Sequence, residues 1–484
     1  MSFIEREKVL RVLMGFNPWW VTGKVSREHM KPIKRLAFQE VKQIMHHRSL
    51  RRVALLSGAR RVGKTTIIYQ LVEDLLAGGT PPSSILFVSF DHPVLKFCSI
   101  GELLEIFQQS IGLERETLYL FFDEAQYAAD WDKWVKTLYD QNPRFRIVVT
   151  GSASPVLAAK STESGVGRWT TIRIPTLSFF EYAELKQLKN KPELTGPIQP
   201  IALHQSSERD FAALMRKLYG LEKHFTRYLL MGGFPEIALS DDLTFAQQVM
   251  REDIVDKVLK RDMTALFGVR NVAELEKVFL YLCFHSGGII VQDTIAKEIG
   301  VSRSTAANYL ELLVQANLVY VSNPAEIGGK KVLKARPKVY LADAAIRNAV
   351  LLLGQEVLAD PVEMGLLVET AVFKHVHAYF YPQRPTVGYY RHPRTQKDVD
   401  IVVSFPVGRI LIEVKYREDT ATGSGEAIVD LARDKDTSGA IVVTKRSTDF
   451  GVLEHATNVP VVKIPAFAFL YLLGYAEREA ILGK

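Results

Sequence analysis

The chain has 484 residues, of which 47% are hydrophobic and 24% charged, and these fractions exclude disorder, collagen and coiled coil as descriptions of the whole. Its 61 Lys and Arg against 54 Asp and Glu leave a net charge of +7, an excess that permits a nucleic-acid partner without demanding one. Two cysteines, Cys98 and Cys283, cannot build a disulfide framework or a Cys-based zinc site, which fits a reducing compartment.

The opening residues, MSFIEREKVLRVLMGF, are charged and lack the apolar core of a secretory signal. RVALLSG (52–58) is then a short apolar run ending in glycine, and 64–77 has helical spacing. ILFVSF (85–90), LYLFFDE (118–124) and RIVVTGS (146–152) are further apolar runs, separated by helical patterns around 101–111 and 131–140. This alternation predicts a parallel sheet covered on both faces, an α/β domain with its site at the C-terminal ends of the strands. Residues 186–200 are polar and Pro-rich and read as a linker or inserted loop, and 208–320 is overwhelmingly helical. β pattern returns over 387–445, after a helix near 363–380. Pro460, Lys463 and Pro465 interrupt the apolar stretch 459–476, which therefore predicts a strand and a buried helix, not a membrane span. A soluble, cytoplasmic protein is expected.

Gly58 to Thr65 (GARRVGKT) fits G-x-x-x-x-G-K-[ST], after a strand and before a helix. In such a loop the backbone N–H groups curl around a phosphate, Lys64 balances charge on the β/γ oxygens, and the Thr65 hydroxyl can ligate Mg²⁺. The expected nucleotide contacts are Gly58, Arg60, Arg61, Gly63, Lys64, Thr65 and Thr66. The strand LYLFFDEAQ delivers Asp123 to hold Mg²⁺ through water and Glu124 to polarise the attacking water. A third strand, RIVVTGSAS, places Ser152 to sense the γ-phosphate, with Thr150 the weaker candidate.

These motifs, followed in order by GVGRWTTIRIPTLSFFEY and YLLMGGFPE, resemble the prokaryotic AAA-type ATPases with a C-terminal domain of unknown function. The resemblance extends to NPWW (17–20) and DIVDKVLKRDMTALFG (253–268). It implies that Arg168 is an arginine finger reaching a neighbouring subunit's γ-phosphate, and hence a homo-oligomer, a hexameric ring being one form. It also implies that Gly232, Gly233 and Pro235 form a lid turn over the adenine, although a plain helix-connecting turn has the same signature.

TIAKEIGVSRSTAANYLELLVQANLVYVS (294–322) has the form of a winged helix-turn-helix. Ser302, Arg303, Ser304 and Asn308 lie where a DNA-reading helix contacts bases. The downstream cations Lys330, Lys331, Lys334, Arg336 and Lys338 look like a wing that contacts phosphates. A packing role with a solvated, charged hairpin is the other reading.

In KDVDIVVSFPVGRILIEVKY, Asp400 begins one strand and Glu413-x-Lys415 lies on the returning strand, both on one face by period-2 alternation. With Glu369 on the preceding helix, this resembles a restriction-endonuclease-like PD-(D/E)xK core. In such a core Asp400 and Glu413 would bind Mg²⁺, Glu369 would add a carboxylate, and Lys415 would position or activate water. Asp398 is a rival ligand, and the scaffold is compatible with DNA binding alone. The His46/His47 and His375/His377 pairs lack the spacing of helical zinc ligands, and Trp19 and Trp20 carry no assigned role.

The expected plan is an α/β AAA-type ATPase domain at 1–180, a helical lid and linker at 181–270, a winged helix at 271–345, and a smaller nuclease-like α/β domain at 346–484. The function read from it is a Mg²⁺-dependent ATPase, binding ATP, that remodels or translocates duplex or branched DNA. An ATP-switched signalling or defence protein is the alternative, as is a DNA-binding module with a dead nuclease centre.

Overall fold

The computed structural model describes residues 5–47, 49–112, 117–152, 167–325, 336–392 and 395–483. Two compact units divide the chain. One comprises Met1–Ile174 with the short segments Ala265–Gly268 and Gln315–Asn317, and the other holds the remainder.

The first unit is built on five parallel strands: β1 (Val53–Ser57), β2 (Ile85–Ser89), β3 (Tyr119–Asp123), β4 (Arg146–Gly151) and β5 (Trp169–Arg173). Their order across the sheet is β2-β3-β4-β1-β5. Continuous apolar runs such as Leu120, Phe121 and Phe122 are buried because helices cover both faces. The helix Ile100–Ser110 starts where its sequence directs: Ser99 Oγ accepts from Glu102 N at 3.2 Å, and the Glu102 carboxylate accepts from Ser99 N at 2.8 Å. The NPWW segment closes the outer edge of β2. The Asn17 amide donates to Phe87 O at 2.8 Å and accepts from Phe87 N at 2.7 Å, imitating a neighbouring strand, while Trp19 and Trp20 both donate to Ile85 O.

The second unit carries an eight-stranded mixed sheet. Its strands are β6 (Val319–Pro324), β7 (Lys338–Leu341), β8 (Thr386–Arg391), β9 (Asp398–Ser404), β10 (Arg409–Lys415), β11 (Thr437–Thr444), β12 (Gly451–Leu453) and β13 (Val461–Pro465). The order is β12-β13-β11-β10-β9-β8-β6-β7. The strand and buried helix expected over 459–476 are β13 and the helix Ala466–Leu482. Helices Val272–Phe284, Gln292–Ile299 and Arg303–Gln315 precede β6 and β7, which pair antiparallel with Val319 opposite Leu341. The boundary expected at 345 does not interrupt this sheet, because β6 pairs with β8 through Asn323 and Gly388. Only glycine fits there: a Cβ at Gly388 would lie 2.2 Å from Asn323 O.

A buried polar hub ties the helix Pro361–Phe380 to the rest of the second unit. Lys374 Nζ donates to Leu177 O at 2.8 Å and to the Tyr228 hydroxyl at 2.6 Å, and lies 3.6 Å from Asp343 Oδ2. Both charged side chains are about 3% exposed, so each is the condition for burying the other.

Candidate functional site

The phosphate-binding loop leaves β1 and runs into the helix Lys64–Ala77. Gly58 is buried so tightly that a Cβ would meet Ile174 O at 2.2 Å, and Gly63 takes φ +99°, a conformation that favours glycine. Arg60 donates to the Tyr127 hydroxyl at 3.3 Å, whereas Arg61 is exposed at φ +62°. Thr66 lies on the first turn of the helix. Lys64 is 4% exposed and its Nζ donates to Gly58 O at 2.9 Å and Ala59 O at 3.0 Å, which holds the ammonium over the loop.

Parallel pairing of β3 beside β4, with β1 next in the sheet, brings the acidic strand end to this loop. Thr65 Oγ1 donates to Asp123 Oδ2 at 2.9 Å, and Lys64 Nζ stands 3.9 Å from Glu124 Oε1. Thr150 Oγ1 donates to the other Asp123 oxygen at 2.5 Å and accepts from Glu124 N at 3.1 Å. Glu124 sits in the left-handed region at φ +50°, and that bond fixes the turn. Gln126 donates to the Glu124 carboxylate and, at 3.0 Å, to Ser152 Oγ. Burial, then the Glu124 charge, pushes the Asp123 carboxyl up to about 6. Burial raises Glu124 as well, but Lys64 and the Gln126 hydrogen bond outweigh it and leave the group below the usual carboxylate range.

Ser152 therefore joins Glu124 through Gln126, while Thr150, the weaker sensor candidate, bridges both acids. Neither Gln126 nor the double role of Thr150 was read from the sequence. Arg168 lies at the start of β5, where its carbonyl accepts from Val53 N at 2.9 Å. Since β1 and β5 are parallel, Arg168 is at the opposite end of the sheet from its own loop, about 16 Å away for five residues of strand. Its guanidinium pairs with Asp140 at 2.9 Å.

In the second unit, Gly232 and Gly233 have a local packing reason. A Cβ at Gly232 would lie 2.4 Å from Asp343 Oδ1, and one at Gly233 would lie 2.6 Å from Leu177 O. Gly233 N donates to Asp343 Oδ2 at 3.0 Å, and Pro235 opens the helix Pro235–Leu239. At the expected DNA-reading helix, Arg303 is exposed and 3.4 Å from Asp293. Arg336 is exposed, whereas Lys330, Lys331 and Lys334 lie outside the described residues.

Lys338 corrects its expected place in the wing, being only 5% exposed. Its Nζ is 3.1 Å from Asp400 Oδ1, 3.6 Å from Glu369 Oε1 and 3.9 Å from Asp398 Oδ2. The antiparallel register of β9 and β10, with Ile401 opposite Ile412, puts Asp400 beside the Glu413 end of β10, and Val414 N donates to Asp400 Oδ2 at 2.9 Å. The Tyr340 hydroxyl donates to Glu369 Oε1 at 2.8 Å. Burial, then Asp400, pushes Glu369 up to about 7 despite Lys338, and the same two causes raise Glu413 well above the usual range. Glu413 Oε2 is buried without a hydrogen-bond partner among the described residues. Lys415 turns away to Ala421 O at 3.0 Å and Glu426 at 3.4 Å.

Of the four residues expected to form this centre, Asp400 lies close enough to Glu369 and Glu413 to raise both carboxyl groups, Lys415 points elsewhere, and Lys338 and Tyr340 join without having been expected there. A lysine opening the otherwise apolar strand KVYL was the available signal. Mg²⁺ takes six oxygens at about 2.1 Å, several of them from water. Here an ammonium already holds Asp400 and Glu369, two of the three carboxylates expected to contribute, while Glu413 Oε2 has no partner among the described residues. Among the described residues no group of three or more His, Cys, Asp and Glu is spaced to hold a metal ion.

Residues 50–183 match the family model described as an AAA domain, and with the parallel sheet and loop above they form an AAA-type P-loop nucleotide-binding domain. Residues 222–357 and 364–467 match two further models, each described as a domain of unknown function, DUF8612 and DUF4143. An uncharacterized protein of Haemophilus influenzae is 24% identical over 314 residues, 64% of this chain and 71% of that protein. One from Methanocaldococcus jannaschii is 25% identical over 394 residues, 79% of this chain and 80% of its own length. Among solved structures, the Aeropyrum pernix ORC1 protein in complex with DNA matches at 14% identity and a TM-score of 0.31, covering 65% of this chain and 90% of that one. AMPPCP-bound DnaA from Aquifex aeolicus matches at 14% identity and a TM-score of 0.25, covering 59% and 89%. No described helix is long and apolar enough to cross a membrane.

Proposed function

We propose that the chain is a Mg²⁺-dependent ATPase that couples ATP turnover to binding and remodelling or translocating duplex or branched DNA. The observation that carries the ATPase reading is the contact of Thr65 with Asp123 at 2.9 Å, with Lys64 3.9 Å from Glu124. A hydroxyl and a buried carboxylate at that separation are the hard oxygens that suit Mg²⁺, whose charge would be shared with the β- and γ-phosphates when bound. Lys64 exchanges its loop carbonyls for phosphate oxygens. Glu124, ionised at neutral pH, orients the attacking water and takes its proton. Thr150 holds the backbone of Glu124, and Gln126 passes the position of that carboxylate to Ser152. Arg168 cannot reach its own chain's γ-phosphate and acts on a second copy, releasing a solvent-screened surface pair with Asp140 that is easily broken.

The DNA part rests on the helices Gln292–Ile299 and Arg303–Gln315 followed by paired strands, on exposed Arg303 and Arg336, and on the net charge of +7. The test is an end-labelled four-way DNA junction with protein, Mg²⁺ and ATP, run on native and denaturing gels. Intact strands with changed partners are expected, with no change in Lys64→Ala. Lys64→Ala abolishes hydrolysis, and Glu124→Gln binds ATP without turnover; full activity in either overturns the site. Negligible turnover with nucleotide-dependent assembly favours the ATP-switch alternative.

A further inference from the structure

The acidic centre of the second unit contains its own cation. Lys338 Nζ lies within 4 Å of three carboxylates, Asp400, Glu369 and Asp398, and its side chain is 6% exposed. The pairing of β6 with β7 sets Lys338 opposite Ser322 and thereby fixes where its stem begins. Three of the oxygens that a divalent ion would need are already engaged, whereas Glu413 Oε2 has no hydrogen-bond partner among the described residues. Asp400 gives one oxygen to Lys338 and the other to Val414 N–H. Glu369 Oε1 faces Lys338 and takes the Tyr340 hydroxyl. The remaining lysine, Lys415, which a hydrolytic centre would use to position water, is bound to Ala421 O and Glu426.

We infer that Lys338 is a built-in substitute for a metal ion, so that this nuclease-like centre is a metal-independent ion-pair core that does not cut DNA. The physical reason is partial compensation of the carboxylate charge by a cation that is part of the chain. Carboxylates gathered on adjacent elements repel one another and are costly to bury unless a cation sits among them. A tethered ammonium supplies that charge at no cost in translational freedom, whereas a divalent ion must displace it and strip its own water. The same contacts staple β7 to β9 and to the helix Pro361–Phe380, giving the centre a structural task. This inference is independent of the ATPase reading, because every residue in it belongs to the second unit.

The test counts bound Mn²⁺ by electron paramagnetic resonance on the nucleotide-free full-length protein. Wild type and Asp400→Asn are expected to bind the same number of ions. Lys338→Met is expected to bind one more, to melt roughly 10 °C lower than wild type, and to regain that loss when Mn²⁺ is added. Mn²⁺ leaves the wild-type melting temperature unchanged in the same titration. An ion bound by wild type and lost in Asp400→Asn overturns the inference. So does nicking of supercoiled DNA by wild type that disappears in Asp400→Asn, or a folded Lys338→Met that takes no extra ion. If Lys338→Met does not fold, the comparison of wild type with Asp400→Asn decides alone.

Discussion

Replacing Thr150 by valine removes one hydroxyl, leaves the shape of the side chain, and breaks two bonds at once. Asp123 loses its donor at 2.5 Å, and the Glu124 N–H loses its acceptor at 3.1 Å, at a residue with no measurable exposure. A hydrogen bond to a charged group contributes about 1.5–3 kcal/mol, and a stranded buried N–H costs about 1–3 kcal/mol. No cavity forms, so the first unit should lose roughly 3–5 kcal/mol, a drop of about 10 °C in its melting temperature. Chemistry should change as well. Asp123 already stands at about 6, because burial and Glu124 raise it while the Thr150 and Thr65 hydroxyls hold it down. Without Thr150 its carboxyl moves higher, and the acid limb of kcat/KM shifts to higher pH, since that limb reports groups of the free enzyme. Calorimetry without nucleotide and an ATPase pH profile from 5.5 to 8.5 (about three units) read the two effects separately. A Thr150→Val protein that melts with wild type and keeps its pH profile refutes the clamp.

Three further outcomes are expected. Arg168→Ala should lower turnover in the assembled protein by about 10³-fold with ATP binding intact, and mixing it with Lys64→Ala should restore part of the rate; full turnover by Arg168→Ala alone dismisses a role in trans. Glu369 has its folded pKa raised to about 7 from 4.5, so the stability it contributes is complete below pH 4.5 and is lost as pH rises through 7. Urea unfolding of wild type should therefore show up to about 3 kcal/mol lost over that window, flattened in Glu369→Gln; parallel curves exclude it. Gly232→Ala combines φ +78° with a Cβ 2.4 Å from Asp343 Oδ1, and should cost the second unit about 3 kcal/mol or more in the same measurement, where a neutral result removes the packing account of the Gly-Gly turn.

The features legible in the chain are those whose parts are neighbours in sequence. The phosphate loop was readable because a glycine-rich turn, a lysine and a hydroxyl occur between one strand and one helix. Asp123 was readable because a buried strand that ends in an acid can deliver it only to the strand's C-terminal end. The nearness of Asp400 to Glu413 was readable too, since a short turn joins β9 to β10 and so brings the start of one strand to the end of the other.

Other features depend on register between segments far apart. Lys338 precedes Asp400 by 62 residues, and its place at the start of the apolar strand KVYL marks it as different from the basic run before it without saying which groups it meets. Only the pairing of β6 with β7 and with β8 turns its stem into the acidic centre and reassigns it from solvent to core. Asn17 sealing the edge of β2, Thr150 bridging two acids on the neighbouring strand, and Asp343 filling the space that Gly232 leaves are of the same kind. The sequence by itself determined which elements form and which chemical groups they carry, because propensity, alternation and turn chemistry act over a few residues. The tertiary structure decided which of those groups meet and whether a charge faces water or other charges, because strand register and helix packing act across the whole chain.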